Sequence, residues 1–212
     1  MSINKDLSSK VNYSNEITQT FWDQLAAYIS IVFSPPLVVI YGVIIAAPFL
    51  NVSSPWLWSL LFITLFVIPP TLFVYNLLRK GLIEDFHMNV RRERLKPLFV
   101  ILFNTLLGIS VFYLLSGPKF LIILSICCLL SVIMMFFVTV FWKISGHSVA
   151  AGGLCVIILS LLGESAIPFT ILIPIIAWSR FKLSRHSVSQ TIAGVFLGIL
   201  SFGIPLYFTG LL

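Results

Sequence analysis

Long apolar runs dominate the chain, and short polar segments separate them. The runs fall near 25–50, 56–78, 98–116, 120–142, 148–163, 166–179 and 188–211. Hydrocarbon cannot satisfy exposed backbone N–H and C=O groups, so helices are the expected form of such runs. The runs are continuous, which argues against the alternating pattern of a membrane barrel. The pattern predicts an all-α, polytopic transmembrane helix bundle of six or seven antiparallel spans. It reads as one domain over 1–212, opened by a polar segment at 1–20 in which no secretory leader is expected. Pro35-Pro36 and Pro69-Pro70 are predicted to kink or cap the first two spans. Gly152-Gly153 and Gly194-x3-Gly198 predict close helix packing.

Composition agrees with the pattern. Hydrophobic residues make up 59% of the chain and charged residues 9%, with a mean hydropathy of +1.08. A soluble domain carries roughly 45–50% apolar and about 25% charged residues. Lipid must cover much of this surface. Cys127, Cys128 and Cys155 sit inside apolar runs and read as small hydrophobes.

The net charge of +6 is distributed unevenly. If each run crosses once, the N-terminus and the loops at 79–97, 143–147 and 180–187 emerge on one side. Of the 13 Lys and Arg, 12 lie on that side, and only Lys119 lies on the other. The positive-inside rule makes the basic side cytoplasmic. Trp22, Trp142 and Trp178 fall at that side and Trp56 and Trp58 at the opposite one, as an interfacial belt requires. The basic residues flank spans, so bilayer headgroups are their natural partners, and nucleic acid is not expected. The runs at 148–163 and 166–179 hold 16 and 14 residues. They reach only roughly 24 and 21 Å across a core of about 30 Å, so the basic-side loops that they join are expected below the membrane surface.

Three polar clusters gather on the basic side. The first is Arg91-Arg92-Glu93-Arg94-Leu95-Lys96-Pro97, preceded by Glu84, Asp85 and His87. The second is Lys143-Ile144-Ser145-Gly146-His147-Ser148. The third runs from Ser179-Arg180 through Arg185-His186 to Gln190. Ionisable groups near membrane depth are costly and point to function. Ser145, Gly146 and His147 lie at a predicted helix start, where free amides and the dipole favour an anion. Arg180 and the first cluster can offer forked donors to phosphate oxygens, and Lys143 can snorkel or contact phosphate. Two histidines, His147 and His186, suit a covalent route that needs one nucleophile and one acid. Gln190 stands four residues after His186, on the same helix face, where it could hold one imidazole nitrogen.

These motifs resemble the type 2 phosphatidic acid phosphatase superfamily, whose pattern is Lys-x6-Arg-Pro, Pro-Ser-Gly-His and Ser-Arg-x5-His-x3-Asp. Ser145-Gly146-His147 matches the second motif, and Ser179-Arg180 with His186 matches the third at the family spacing. The resemblance implies a phosphatase acting on a phosphate monoester or diphosphate of a lipid or isoprenoid carrier, without metal or other cofactor. His186 would form a phosphohistidine, His147 would protonate the leaving oxygen, and Arg180, Ser145 and the Gly146 amide would hold phosphate. Arg91, Arg94 and Lys96 would stand in for the first motif, which is degenerate: Lys96-Pro97 replaces Arg-Pro, and Asn89 lies seven residues before Lys96. Ile144 replaces the family proline. Gln190 replaces the family Asp, and a neutral amide can orient His186 without stabilising its cation. Asp85, or Glu84, could supply that charge from the first loop. Two rival readings remain. One is a non-catalytic lipid-binding or transport protein that keeps the fold. The other is a metal-dependent prenyltransferase, disfavoured by the presence of only three Asp.

Overall fold

A computed structural model describes residues 20–85, 88 and 90–212. The polar segment up to residue 19, with Lys5 and Lys10, and the loop residues His87 and Asn89 lie outside the described residues. Among the described residues every regular element is helical. The α-helices are α1 (Phe21–Val32), α2 (Pro35–Ala46), α3 (Pro55–Phe66), α4 (Ile68–Arg79), α5 (Leu95–Leu114), α6 (Lys119–Phe141), α7 (Gly146–Leu162), α8 (Leu172–Lys182) and α9 (Val188–Phe208). Short 3-10 turns cover Ala47–Phe49, Arg91–Arg94 and Gly163–Ile171.

Five helical stretches are long and apolar enough to cross a bilayer, or six when the bent pair Phe21–Val32 and Pro35–Phe49 counts as one span. This is compatible with a multi-pass membrane protein. The stretch Gly146–Lys182 is not straight. Gly163 takes φ 56° and ψ −138°, a conformation open to glycine, and α8 packs back against α7. The start of α7 and the end of α8 are thereby brought to the same end of the bundle.

The proline pairs act as the sequence suggests. Pro35 disfavours a helical Ser34, and Ser34 is extended at ψ 147°. The axis turns by 56° between α1 and α2, and α2 begins with proline in its first turn, where no N–H is needed. At the second pair the break is slighter: Val67 stays in the helical region at φ −108° and ψ −48°, α4 carries Pro69-Pro70 in its first turn, and Pro55–Arg79 counts as one stretch.

The tightest packing joins α7 to α9. A Cβ on Gly198 would stand 2.1 Å from the Val149 carbonyl oxygen, and one on Gly152 would stand 2.5 Å from that of Val195. Only glycine allows backbones this close. A second core lies toward the opposite end of the bundle, where Phe62, Phe66, Phe112 and Trp58 form a cluster of rings. The α7–α9 contact fixes those two helices, and so the loops that precede them.

Candidate functional site

The three polar loops are stitched to one another through backbone carbonyls. Arg91 Nη1 donates to Val140 O at 2.7 Å. Arg94 Nε donates to Met88 O at 2.8 Å, and its Nη1 to Ile144 O at 2.7 Å. Lys143 Nζ donates to Arg185 O at 2.8 Å, and the Ser145 amide donates to Gln190 O at 3.3 Å. Arg185 forms an ion pair with Asp85. Several of the cations proposed for phosphate therefore brace the loops.

A cavity of about 280 Å³ opens among these loops. Arg94, Gly146, His147, Arg180 and His186 all line it. The chain thus brings two histidines 39 positions apart in sequence onto one wall, with two arginines beside them. Both rings are buried, His147 at 5% and His186 at 6% exposure. Arg91, Lys96, Lys143, Ser145 and Gln190 are not part of the lining. Lys96 is exposed. Ser145 caps α7, its Oγ accepting from the Ser148 amide at 3.3 Å and from the Ser148 hydroxyl at 3.0 Å.

His186 lies just before α9, and the start of that helix fixes its tautomer. Ser187 and Gln190 form a capping box, in which the Ser187 amide donates to Gln190 Oε1 at 3.3 Å. That oxygen is an acceptor, and His186 Nδ1 lies 3.1 Å from it. Nδ1 therefore carries the ring proton, and Nε2 keeps its lone pair. Burial first, and then the Arg94 guanidinium, lower the His186 pKa from its ordinary value to about 3. The ring is neutral at physiological pH. Burial, with Arg94, Arg180 and Arg185 nearby, also lowers the Lys143 pKa.

Arg180 is 2% exposed. Its Nη1 donates to the Ser30 hydroxyl. Its Nε–H is buried with no hydrogen-bond partner among the described residues, a costly state for a charged donor. His147 meets Ser30 as well, with Nε2 3.0 Å from the Ser30 carbonyl oxygen and 3.4 Å from the hydroxyl. Ser30 thus links the α7 histidine to the α8 arginine from α1. Sequence reasoning missed it. The signal available was a single buried hydroxyl in an otherwise apolar turn, Tyr28-Ile29-Ser30-Ile31, with no motif to set it apart.

Beyond this polar end the cavity wall is mostly apolar. It includes Val39, Val67, Leu98, Ile101 and Met135. Prolines that open helices, Pro35, Pro36, Pro70 and Pro97, also face it. Side chains of α2, α4, α5 and α6 all contribute to the lining. A site of this kind can hold an anionic head at the cationic end and an apolar group below it.

Comparison with family models, with curated proteins and with solved structures finds no match to this chain.

Proposed function

We propose that the chain is a membrane phosphatase that hydrolyses a phosphate monoester or diphosphate on a lipid or isoprenoid carrier. One observation carries the reading. A buried Arg180 donor with no partner among the described residues shares a cavity with two buried histidines, and the rest of that cavity is mostly apolar. The spacing of Ser179-Arg180 to His186, and the Ser145-Gly146-His147 triplet, support the same chemistry through their resemblance to the type 2 phosphatidic acid phosphatases.

In this reading Arg180 and the first turn of α7 hold the phosphate. His186 Nε2 attacks phosphorus while Gln190 retains the Nδ1 proton. The bond from phosphorus to the carrier oxygen breaks, and His147 gives that oxygen a proton. Water then attacks the phosphohistidine and gives a proton back to His147, the P–N bond breaks, and inorganic phosphate leaves with both histidines restored. No step draws on a metal. In this reading the site opens to the cytoplasmic face, which the positive-inside rule applied to the basic loops supports.

The test is phosphate release from phosphatidate, phosphatidylglycerophosphate and prenyl phosphates in detergent, with excess chelator present. Release by the wild type and its loss in His186→Ala support the reading. Release that His186→Ala leaves unchanged overturns the nucleophile, and dependence on added divalent metal points to the prenyltransferase class.

The neutral Gln190 favours a second reading, a lipid-binding or transport protein with the same site but no turnover. Trapping a phosphoenzyme on His186 decides against it.

A further inference from the structure

Three hydroxyls interrupt the apolar part of the cavity wall. Serine and threonine inside long helices commonly return their hydroxyl proton to a carbonyl three or four residues back. Thr105, Ser125, Ser160, Ser179 and Ser201 all do so. Ser131 on α6 does not. It is 7% exposed, and its hydroxyl has no hydrogen-bond partner among the described residues. Ser59 and Thr139 lack partners too, but their oxygens are sealed among side chains. The Ser131 oxygen is not sealed, and the residue lines the cavity.

Ser34 and Thr71 share this state. Ser34 stands at the N-cap position of α2, yet its side chain caps nothing. The two prolines that follow it bring no N–H to accept. Thr71 on α4 also has no side-chain partner among the described residues. Both line the same cavity as Ser131.

Contacts at Gly146 place two of the three hydroxyls beside the proposed phosphate position. A Cβ on that glycine would stand 3.6 Å from the Met135 terminal methyl and 3.9 Å from Pro35 Cγ. Ser34 adjoins Pro35. Ser131 precedes Met135 by four residues on the cavity-lining stripe of α6, about 6 Å farther from the polar loops.

Each hydroxyl carries a proton that needs an acceptor, and an unpaired donor is costly among apolar groups. A prenyl or ether-linked chain offers no carbonyl below the phosphate. An ester-linked chain does, a few bonds from phosphorus. Resting on the phosphatase reading above, we propose that Ser34, Thr71 and Ser131 form a carbonyl-binding subsite next to the phosphate position. These residues then determine specificity, favouring ester-linked acyl chains over ether-linked or prenyl ones.

The experiment compares a short-chain diacylglycerol phosphonate, which cannot be hydrolysed, with its twin carrying ether-linked chains of the same length. Binding is read as thermal stabilisation of the purified full chain in a detergent without ester or amide groups. The wild type should bind the ester compound about two- to tenfold more tightly, the worth of one net hydrogen bond. Ser131→Ala should shrink that ratio while leaving affinity for the ether twin unchanged. The triple variant Ser34→Ala, Thr71→Val, Ser131→Ala should bring the ratio to one. Without ligand, Ser131→Ala should match or exceed the wild-type unfolding midpoint, because no bond within the protein is lost.

Equal affinity for the twins in the wild type, as expected if the hydroxyls only hold water, would overturn the proposal. So would an ester preference that survives in the triple variant, or a lowered midpoint for Ser131→Ala without ligand. The binding comparison does not depend on turnover. A hydroxyl-dependent ester preference in a protein that releases no phosphate would sink the phosphatase reading alone. Phosphate release without any ester preference would sink only the subsite.

Discussion

Nδ1 of His186 lies 3.1 Å from Oε1 of Gln190, and the same oxygen caps α9 by accepting from the Ser187 amide. One side chain thus starts a helix and orients the proposed nucleophile. Gln190→Glu is the informative change, because glutamate has the same length and serves equally well in a capping box. The added carboxylate favours the imidazolium, so the His186 pKa should rise well above about 3. The same charge stabilises the cationic ring of a phosphohistidine, and the phosphoenzyme should form faster. NMR titration of the ring and rapid-quench phosphorylation measure the two effects. Gln190→Leu should instead lose about 1 kcal/mol of stability with the cap, and most of the activity with the tautomer.

The His186 pKa has a consequence for stability. Its folded value of about 3 lies below the ordinary 6.5. Between those values the unfolded chain binds a proton that the fold rejects, so stability rises with pH across this window. The contribution is full above pH 6.5 and is lost as pH falls toward 3. Unfolding midpoints in detergent should therefore drop between pH 7 and pH 4. His186→Ala should flatten that slope, whereas an unchanged slope would place the titrating group elsewhere.

Arg180→Lys should be far from conservative. Lysine keeps the charge but loses the forked donors, including the Nε–H that has no partner among the described residues. Loss of one donor aimed at developing charge costs about 10²–10³ in kcat. Phosphate-release kinetics on the lysine variant should show a drop of that size. A variant with wild-type kcat would mean that Arg180 is structural only.

Ser30→Ala removes the hydroxyl that accepts from Arg180 and leaves the backbone carbonyl that faces His147. A hydrogen bond to a charged group contributes about 1.5–3 kcal/mol, so kcat/KM should fall by roughly one to two orders of magnitude. The His147 ring should keep its place. Its NMR shift should therefore change little, while the affinity for inorganic phosphate or vanadate should fall.

The membrane class, the helical bundle and the proline breaks were legible because each follows from local chemistry. Continuous apolar runs cannot be solvated, and Pro35 and Pro69-Pro70 cannot sit inside a regular helix. The partnership of His186 with Gln190 was legible in outcome but not in cause: the i, i+4 reading puts both on one helix face, whereas His186 precedes the Ser187 cap of α9 and meets Gln190 through the capping box. The share of cations that act as braces was not legible. Arg91, Arg94 and Lys143 read as phosphate ligands because charge is expensive at membrane depth, yet orphan carbonyls at Val140, Ile144 and Arg185 require donors too. A sequence does not say which demand a cation meets. Ser30 was illegible because its value lies entirely in contacts more than a hundred residues away. Asp85 is a like case: it could be named as a charge near the site, but its pairing with Arg185 could not.

The α7–α9 contact gives a test of whether backbone packing behind the cavity wall sets its geometry. A methyl on Gly198 would meet Val149 O at 2.1 Å and Gly153 N at 2.9 Å. Both are backbone atoms of α7, so no side chain can turn aside, and the helices must part. Overpacking of this kind costs typically about 1–3 kcal/mol. Because His147 rides on α7 and His186 immediately precedes α9, the same displacement separates the two rings. Gly198→Ala should therefore lower the unfolding midpoint in detergent, and should lower kcat by more than the folded fraction explains. Gly203 on the same helix is the control. A Cβ there meets nothing within 4 Å, and Ala is the better helix former by about 1 kcal/mol. Gly203→Ala should keep full activity and match or exceed wild-type stability. Equal behaviour of the two variants would mean that α9 can shift on α7 without moving the site.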